Sequence, residues 1–256
     1  MNRKVNRLVR QLFLVGVVCT AIVLLTGGVH APDGALGKKA LVLTAHPDDE
    51  AMFFSPTVLS HPHVSALCLS TGNAEGLGGV RATELVASYA ALGVPANRVA
   101  YVDDPALQDG MDTAWDPAHI ARIVAARVCP SDIDTIVTFD NGGVSQHPNH
   151  IATFQGALHM LRTWDARCKR PAPRLLTLNS FSWRIKFTGT IAAAGQVIAH
   201  TLSGTRDALI LASPNMYFAG LRAMHAHVSQ LVWFRYLYLV TSVYMHANWL
   251  HVTEAT

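Results

Sequence analysis

An unbroken apolar run, Ala40-Leu41-Val42-Leu43-Thr44, leads directly into Ala45-His46-Pro47-Asp48-Asp49-Glu50. A run that short and that apolar reads as a buried strand, so one imidazole and three carboxylates crowd the point where a strand ends. Such a cluster is repulsive beside a core strand unless a cation bridges it. A second apolar run, Thr135-Ile136-Val137-Thr138-Phe139, leads through Asp140-Asn141-Gly142-Gly143 to His147-Pro148-Asn149-His150. Two strand ends that each deliver histidines constrain the chain to a fold that brings both to one edge.

The rest of the chain fits that constraint. Strand-like runs cover Ala40 to Thr44, Val64 to Leu69, Arg98 to Val102, Thr135 to Phe139 and Leu175 to Leu178. Between them, Arg81 to Leu92 carries a helical stripe of Leu85, Val86, Tyr89 and Leu92, Pro117 opens a helix over Ala118 to Val128, and Ile151 to Trp164 follows the second histidine cluster. This alternation predicts an α/β domain with a parallel sheet and helices on both faces. In such sheets ligands bind beyond the carboxyl ends of the strands. Ser70-Thr71-Gly72-Asn73 and Asp103-Asp104 fall at that same edge. Two later stretches, Ile185 to Leu202 and Val228 to Met245, are largely apolar, the second broken by Arg235. They read as core or amphipathic surface helices, with the bilayer interface as the alternative.

Composition adds a membrane element. Only 14% of the 256 residues are charged and 50% are apolar. Much of the net charge of +3 sits at Arg3, Lys4, Arg7 and Arg10; no basic stripe is left for nucleic acid. Leu12 to Val29 carries no charge, which is long enough for a transmembrane helix. Small residues around Val29-His30-Ala31 would also suit a signal peptidase, but the run exceeds a signal core, which favours an anchor. The expected layout is an anchor over residues 1–30, a linker over 31–39 and a catalytic domain over 40–256. The flanking charges place the N-terminus in the cytosol and the domain in the lumen. The four cysteines, Cys19, Cys68, Cys129 and Cys168, form no CxxC pair and suggest no disulfide framework, which favours a reducing compartment.

The charged clusters support specific chemistry. Two ligands from the His46, Asp48 and Asp49 turn and a third from a distant loop would leave one position of a zinc site open to water. A carboxylate off the metal could take that water's proton. The bland alternative is a helix N-terminus favoured by acidic residues. Of His147 and His150, one could bind metal while the other serves the substrate; a surface pair is the alternative. Gly72, Gly76, Gly78 and Gly79, with Asn73 and Arg81, could let a phosphate approach a helix N-terminus, or form a plain flexible loop. His227, in a His-x-Ser-Gln stretch, could reach the site from the C-terminal region; the other histidines read as structural.

Three segments resemble one family together: His46 to Glu50, Thr71-Gly72-Asn73 with Gly78 and Arg81, and Gly143-Val144-Ser145-Gln146-His147-Pro148-Asn149-His150. They are similar to the motifs of the LmbE-like deacetylases, most of all the eukaryotic branch acting on N-acetylglucosaminyl-phosphatidylinositol. The resemblance runs from about Leu41 to Thr153, with a looser match at His227-Val228-Ser229-Gln230-Leu231. It implies a Rossmann-like sheet and zinc-dependent removal of acetate from that glycolipid, giving glucosaminyl-phosphatidylinositol for GPI-anchor assembly. By motif position, His46, Asp49 and His150 would hold zinc and Asp48 would be the general base. His147 would polarise the carbonyl oxygen or stabilise the oxyanion, and could help protonate the leaving amine. Arg81 and Asn73 would bind substrate, Arg81 through its phosphate or a sugar hydroxyl. Bacterial relatives often carry Asp at Asn149 and Tyr at Ser145, so the carboxylate that would orient His147 is missing here. The family also implies the cytosolic face of the endoplasmic reticulum, against the flanking charges. The rival readings are a deacetylase of another N-acetylglucosaminyl conjugate, a secreted one included, and a non-catalytic glycolipid-binding subunit.

Overall fold

A computed structural model describes residues 3–164, 168 and 170–254; the side chains of residues 3, 4, 6, 8 and 9, and so the charges of Arg3 and Lys4, lie outside the described set. The apolar runs become strands: β1 (Gly28–His30), β2 (Ala40–Thr44), β3 (Val64–Cys68), β4 (Val99–Tyr101), β5 (Thr135–Phe139), β6 (Arg174–Leu178), β7 (Ala208–Leu211) and β8 (Ala247–Thr253). Every residue of β2 and β5 is buried, as expected of central parallel strands that are covered on both faces.

The eight strands form one sheet in the order β1-β7-β8-β6-β5-β2-β3-β4. The five strands foreseen from sequence are mutually parallel, β4-β3-β2-β5-β6. Three further strands extend the sheet antiparallel beyond β6. These include β8, which lies just past an apolar stretch expected to be helical. The chain leaves β2 for β3 on one side and later returns to lay β5 on the other. The crevice between β2 and β5 is therefore the topological switch point, where α/β sheets bind ligands.

Helices fill the connections: α1 (Arg3–Thr26), α2 (Asp49–Phe53), α3 (Ser55–Ser60), α4 (Gly78–Ala91), α5 (Pro117–Val128), α6 (Gly143–Gln146), α7 (Pro148–Arg162), α8 (Trp183–Lys186), α9 (Thr190–Ser203), α10 (Pro214–Ala226) and α11 (Trp233–Thr241). Asp116 accepts the Ala118 N–H and Pro117 sits in the first turn, so α5 starts where its sequence foretold. One helical group joins α5 to α7; another joins α10 to α3 and α4. The apolar run from Ile185 is two helices rather than one. Gly189, at φ +51°, breaks it between α8 and α9.

The N-terminal segment packs on the domain: β1 pairs with β7, and α1 lies along α9 with Val23 only 2% exposed and Thr20 Oγ1 3.1 Å from Thr190 Oγ1. The outer side of α1 exposes Leu12, Phe13, Val17, Val18 and Leu25; among the described residues, no helix is long and apolar enough to cross a membrane. One expectation needs correction: Cys129 and Cys168 form a disulfide with a Cα–Cα distance of 5.1 Å. Their separation of 39 residues hid the pairing from any spacing rule. The cysteines therefore no longer favour a reducing compartment.

Candidate active site

The turn after β2 gathers its charge through the backbone. Asp48 adopts φ +117°, a conformation costly for a residue with a side chain, just ahead of α2. The Glu50 carboxylate holds it there by accepting the Asp48 N–H at 3.2 Å. Asp49 folds back the other way, and its Oδ2 accepts the N–H groups of Ala45 and His46 at 3.0 and 2.8 Å. Adjacent carboxylates thus take separate roles: Asp49 faces the strand end and Asp48 faces the cavity.

The turn after β5 brings the second half. Gly143, at φ +54°, lies so close to α7 that an added Cβ would sit 3.1 Å from the His150 Cβ. This approach lets the Gly143 carbonyl accept a bond from His150 Nδ1 at 3.0 Å. The neutral His150 ring therefore carries its proton on Nδ1, leaving Nε2 free, 3.2 Å from Asp49 Oδ1. His46 is fixed from the opposite side. Asn149 has its amide oriented by the Gly110 N–H on Oδ1 and by Thr113 O on Nδ2, so Oδ1 must accept from His46 Nε2, 3.1 Å away. Asp109 Oδ1 lies 3.2 Å from the same nitrogen. His46 then offers a free Nδ1 on the side of Asp49, with Oδ2 at 3.9 Å. Asn149 thus fixes a ring other than the one its missing carboxylate was expected to orient.

His147 differs from both. The Asn149 N–H donates to its Nδ1 at 3.2 Å, so the neutral ring carries its proton on Nε2 and presents a donor. Burial, with His46 and His150 beside it, pushes its pKa down to about 4, which keeps the ring neutral at physiological pH. Ring nitrogens of His46, His147 and His150 come within 4.8 Å of one another. The donor chemistry fits a divalent cation: two imidazoles with fixed free lone pairs and one carboxylate, each held by an outer hydrogen bond, the support that metal-binding histidines characteristically have.

The charges around this cluster are strongly perturbed. Burial would raise the Asp49 carboxyl, but His150, then His46, hold it well below the usual range. Burial likewise opposes a charged His150, yet Asp49 raises its pKa. For Asp48 burial wins and its pKa goes up, with Asp49 adding to the rise and Arg235 and Arg81 working against it. Arg235 Nη2 lies 2.8 Å from Asp48 Oδ2.

The cavity over these residues has a volume of about 360 Å³ and is lined by His46, Asp48, Asp49, His147 and His150 together with Arg81, Asp109, Lys186, Gln230 and Arg235. Of the expected site residues, Asn73 alone stays outside the lining. It is exposed, and its Oδ1 accepts the Gly78 N–H at the start of α4. Arg81 lines the cavity but is deeply engaged. It donates to Gly72 O at 2.9 Å, to Pro47 O at 2.8 Å and to Asp109 at 3.2 Å, pinning two loops together. An added Cβ at Gly72 would meet its guanidinium at 2.4 Å, the reason for glycine there. His227 does not enter the cavity. It is fully buried and lies 2.6 Å from Glu50 Oε1, behind Asp48. Sequence reasoning missed Asp109, Lys186 and Arg235. The signal for the last two was a lone cation in an oily stretch, which a buried position must justify.

Comparisons with known proteins give the family. The family model described as PIG-L, GlcNAc-PI de-N-acetylase, matches residues 41–161. A probable N-acetylglucosaminyl-phosphatidylinositol de-N-acetylase of Schizosaccharomyces pombe is 38% identical over 218 residues, covering 82% of this chain and 85% of that one. The de-N-acetylase of the same name from Bos taurus is 37% identical over 220 residues, covering 84% and 83%. In fold, the chain is similar to N,N'-diacetylchitobiose deacetylase from Pyrococcus horikoshii, with a TM-score of 0.61 at 14% identity over 85% of this chain and 84% of that one. The chain belongs to the family of N-acetylglucosaminyl-phosphatidylinositol de-N-acetylases.

Proposed function

We propose that this chain hydrolyses the N-acetyl group of N-acetylglucosaminyl-phosphatidylinositol, giving glucosaminyl-phosphatidylinositol and acetate, the deacetylation step of GPI-anchor assembly. The observation that carries the reading is the fixed tautomer of each histidine: His46 and His150 present lone pairs toward Asp49, while His147 presents an N–H. His46 Nδ1, Asp49 and His150 Nε2 would hold a divalent cation, and two imidazoles with one carboxylate suit zinc. When bound, it would supply Lewis acidity and an acidified water.

The chain's own residues do the rest. Asp48, unattached to the strand-end hydrogen bonds that engage Asp49, takes the proton of the attacking water; its raised pKa suits a base that must later release it. Arg235 holds the Asp48 carboxylate in place. His147 Nε2–H donates to the amide oxygen as negative charge develops there, and its low pKa keeps that donor neutral, while the proton Asp48 took from water passes to the leaving amine. His227 and Glu50 fix the strained Asp48 backbone from behind.

A lipid-linked substrate asks for a membrane, and the exposed apolar side of α1 supports one: we place α1 in the bilayer of the endoplasmic reticulum and the domain on its cytosolic face. Acetate release from N-acetylglucosaminyl-phosphatidylinositol in mixed micelles tests the reading. Release that a chelator abolishes and zinc restores is the expected result. Chelator-insensitive release would remove the metal from the mechanism. Metal binding without release from this or any other N-acetylglucosaminyl substrate would leave a glycolipid-binding subunit.

A further inference from the structure

Three cations line the catalytic cavity, and two are already engaged: Arg81 with Gly72, Pro47 and Asp109, and Arg235 with Asp48. Lys186 is different. Its residue is 8% exposed, and among the described residues its ammonium has neither a carboxylate partner nor a hydrogen-bond acceptor. It lies 5.5 to 5.9 Å from the ring centroids of Phe53, Phe187, Tyr238 and Tyr244. Ring faces attract a cation, but they do not replace the hydration that burial removes. A lysine buried along its length, whose ammonium opens onto a ligand cavity without an anion, is a site waiting for one.

The neighbouring residue, Phe187, leads from that cation to an apolar space. It lines the catalytic cavity and also a second, larger cleft of about 750 Å³. That cleft is walled by Thr20, Val23 and Leu24 of α1, by Thr188 to Ile191, by Tyr217 and Phe218 of α10, and by Val240 near the end of α11. Its lining is overwhelmingly apolar, and its volume lies within the range of about 300–1,000 Å³ typical of small-molecule pockets. Of the residues that line it, Ile191, Phe218 and Val240 remain exposed. The order in space is hydrolytic cluster, unpaired cation, apolar cleft. The order in the proposed substrate is acetamido sugar, phosphodiester, acyl chain.

We infer that Lys186 receives the substrate's phosphodiester and that the cleft beyond Phe187 seats an acyl chain, so that one continuous channel measures the glycolipid from amide to tail. This rests on the proposed function for the sugar end alone; an anionic lipid with an acyl chain is what the channel recognises. Its occupant follows from Phe187, which lines both the catalytic cavity and the cleft, and from the apolar helix α1 that forms one wall.

Two measurements test it. In the first, full-length protein is compared on three substrates: N-acetylglucosaminyl-inositol, the same compound bearing a phosphate, and the diacyl glycolipid. Lys186→Met should lower the preference for phosphate-bearing over phosphate-free substrate about tenfold to hundredfold in kcat/KM, chiefly through KM. Lys186→Arg should restore part of it. Thr188→Trp, at an exposed residue of the cleft, should lower the preference for the diacyl substrate over its acyl-free headgroup; each methylene kept out of the cleft forfeits roughly a fourfold gain. Equal losses on all three substrates would reduce Lys186 to a structural residue and overturn the assignment.

The second needs no catalysis. Protein in phosphatidylcholine vesicles with phosphatidylinositol carrying a diazirine in its acyl chain is irradiated and the labelled peptides are mapped. Label in residues 187–191 and around Val240, weakened by Lys186→Met and by Thr188→Trp, is expected. Label confined to the outer side of α1, or unchanged in both variants, would overturn the channel. Competition by inorganic phosphate alone, without an effect of the acyl chain, would leave a free-phosphate site and overturn the lipid half. If cross-linking succeeds while no substrate is hydrolysed, the channel stands and the hydrolytic reading falls.

Discussion

At the scale of single residues, the site is a set of protonation assignments imposed by neighbours. His46→Ala or His150→Ala should lose zinc and activity together, measured as metal content and acetate release, since a three-ligand site cannot spare a ligand. Asp48→Asn should keep its zinc and lose about 10²- to 10⁴-fold in kcat, because the amide cannot take the proton from water. Loss of zinc in that variant would move Asp48 among the ligands. Lys186 gives a pH signature. Burial, with Arg235 alongside, pushes its pKa down to about 8. The groups facing it are Arg235, always charged, and the Tyr238 and Tyr244 phenols, both pushed upward by burial. As pH rises through about 8 the free enzyme loses this positive charge, so kcat/KM for the phosphate-bearing substrate should fall there. Lys186→Arg should abolish that limb, and a limb that survives unchanged belongs to another group.

At the scale of elements, two contacts carry predictions. His227, held against Glu50, joins the end of α10 to the first turn of α2. Burial alone would lower the His227 pKa, but Glu50 raises it above the ordinary value of 6.5. A raised folded-state pKa contributes stability that is fully present below the unfolded pKa and is lost as pH rises through the folded one. His227→Ala should therefore destabilise most at pH 6 and less at pH 9, read as the difference in Tm from the parent chain. Removing one partner of a buried pair costs about 3–5 kcal/mol, so the loss at pH 6 should be large. The second contact is β1 on β7. Truncation through residue 30 removes an edge strand as well as α1 and leaves the β7 edge unpaired, an invitation to aggregate. The site lies four strands away, at β5 and β2, so the soluble fraction of the truncated protein should still bind zinc. A truncated domain that is monodisperse would show that β1 matters little.

At the scale of the whole molecule, orientation sets two features against a third. The charges at Arg7 and Arg10, ahead of the apolar part of α1, favour a domain in the lumen. The Cys129–Cys168 disulfide suits an oxidising compartment. The family resemblance implies the cytosolic face. Protease digestion of sealed microsomes, combined with thiol labelling, separates them. On the proposed reading, the domain is cleaved without detergent. A protected domain with both cysteines blocked would place it in the lumen.

Local sequence settled whatever depends on chain neighbours. The five parallel strands, the opening of α5 at Pro117, and the delivery of His46, Asp48, Asp49, His147 and His150 to one sheet edge were legible in apolar runs, polar turns and a first-turn proline. Strand length and side-chain period are local properties, and a parallel sheet turns them into a shared edge. What needed the tertiary structure are the relations between residues far apart in the chain. Spacing could not pair Cys129 with Cys168, add β8 antiparallel to β6 and β7 antiparallel to β8, or join β1 to β7 across most of the chain. It could not show that Asn149 holds His46, that Asn73 stays at the surface, or that Arg81 is already engaged. Nor could it tell that Lys186 and Arg235, each a lone cation in an apolar stretch, turn inward to the same cavity. Hydrogen-bond partnership and desolvation are set by what surrounds a group in three dimensions, and those two decide which nitrogen is free, which carboxylate is the base and which cation still lacks an anion.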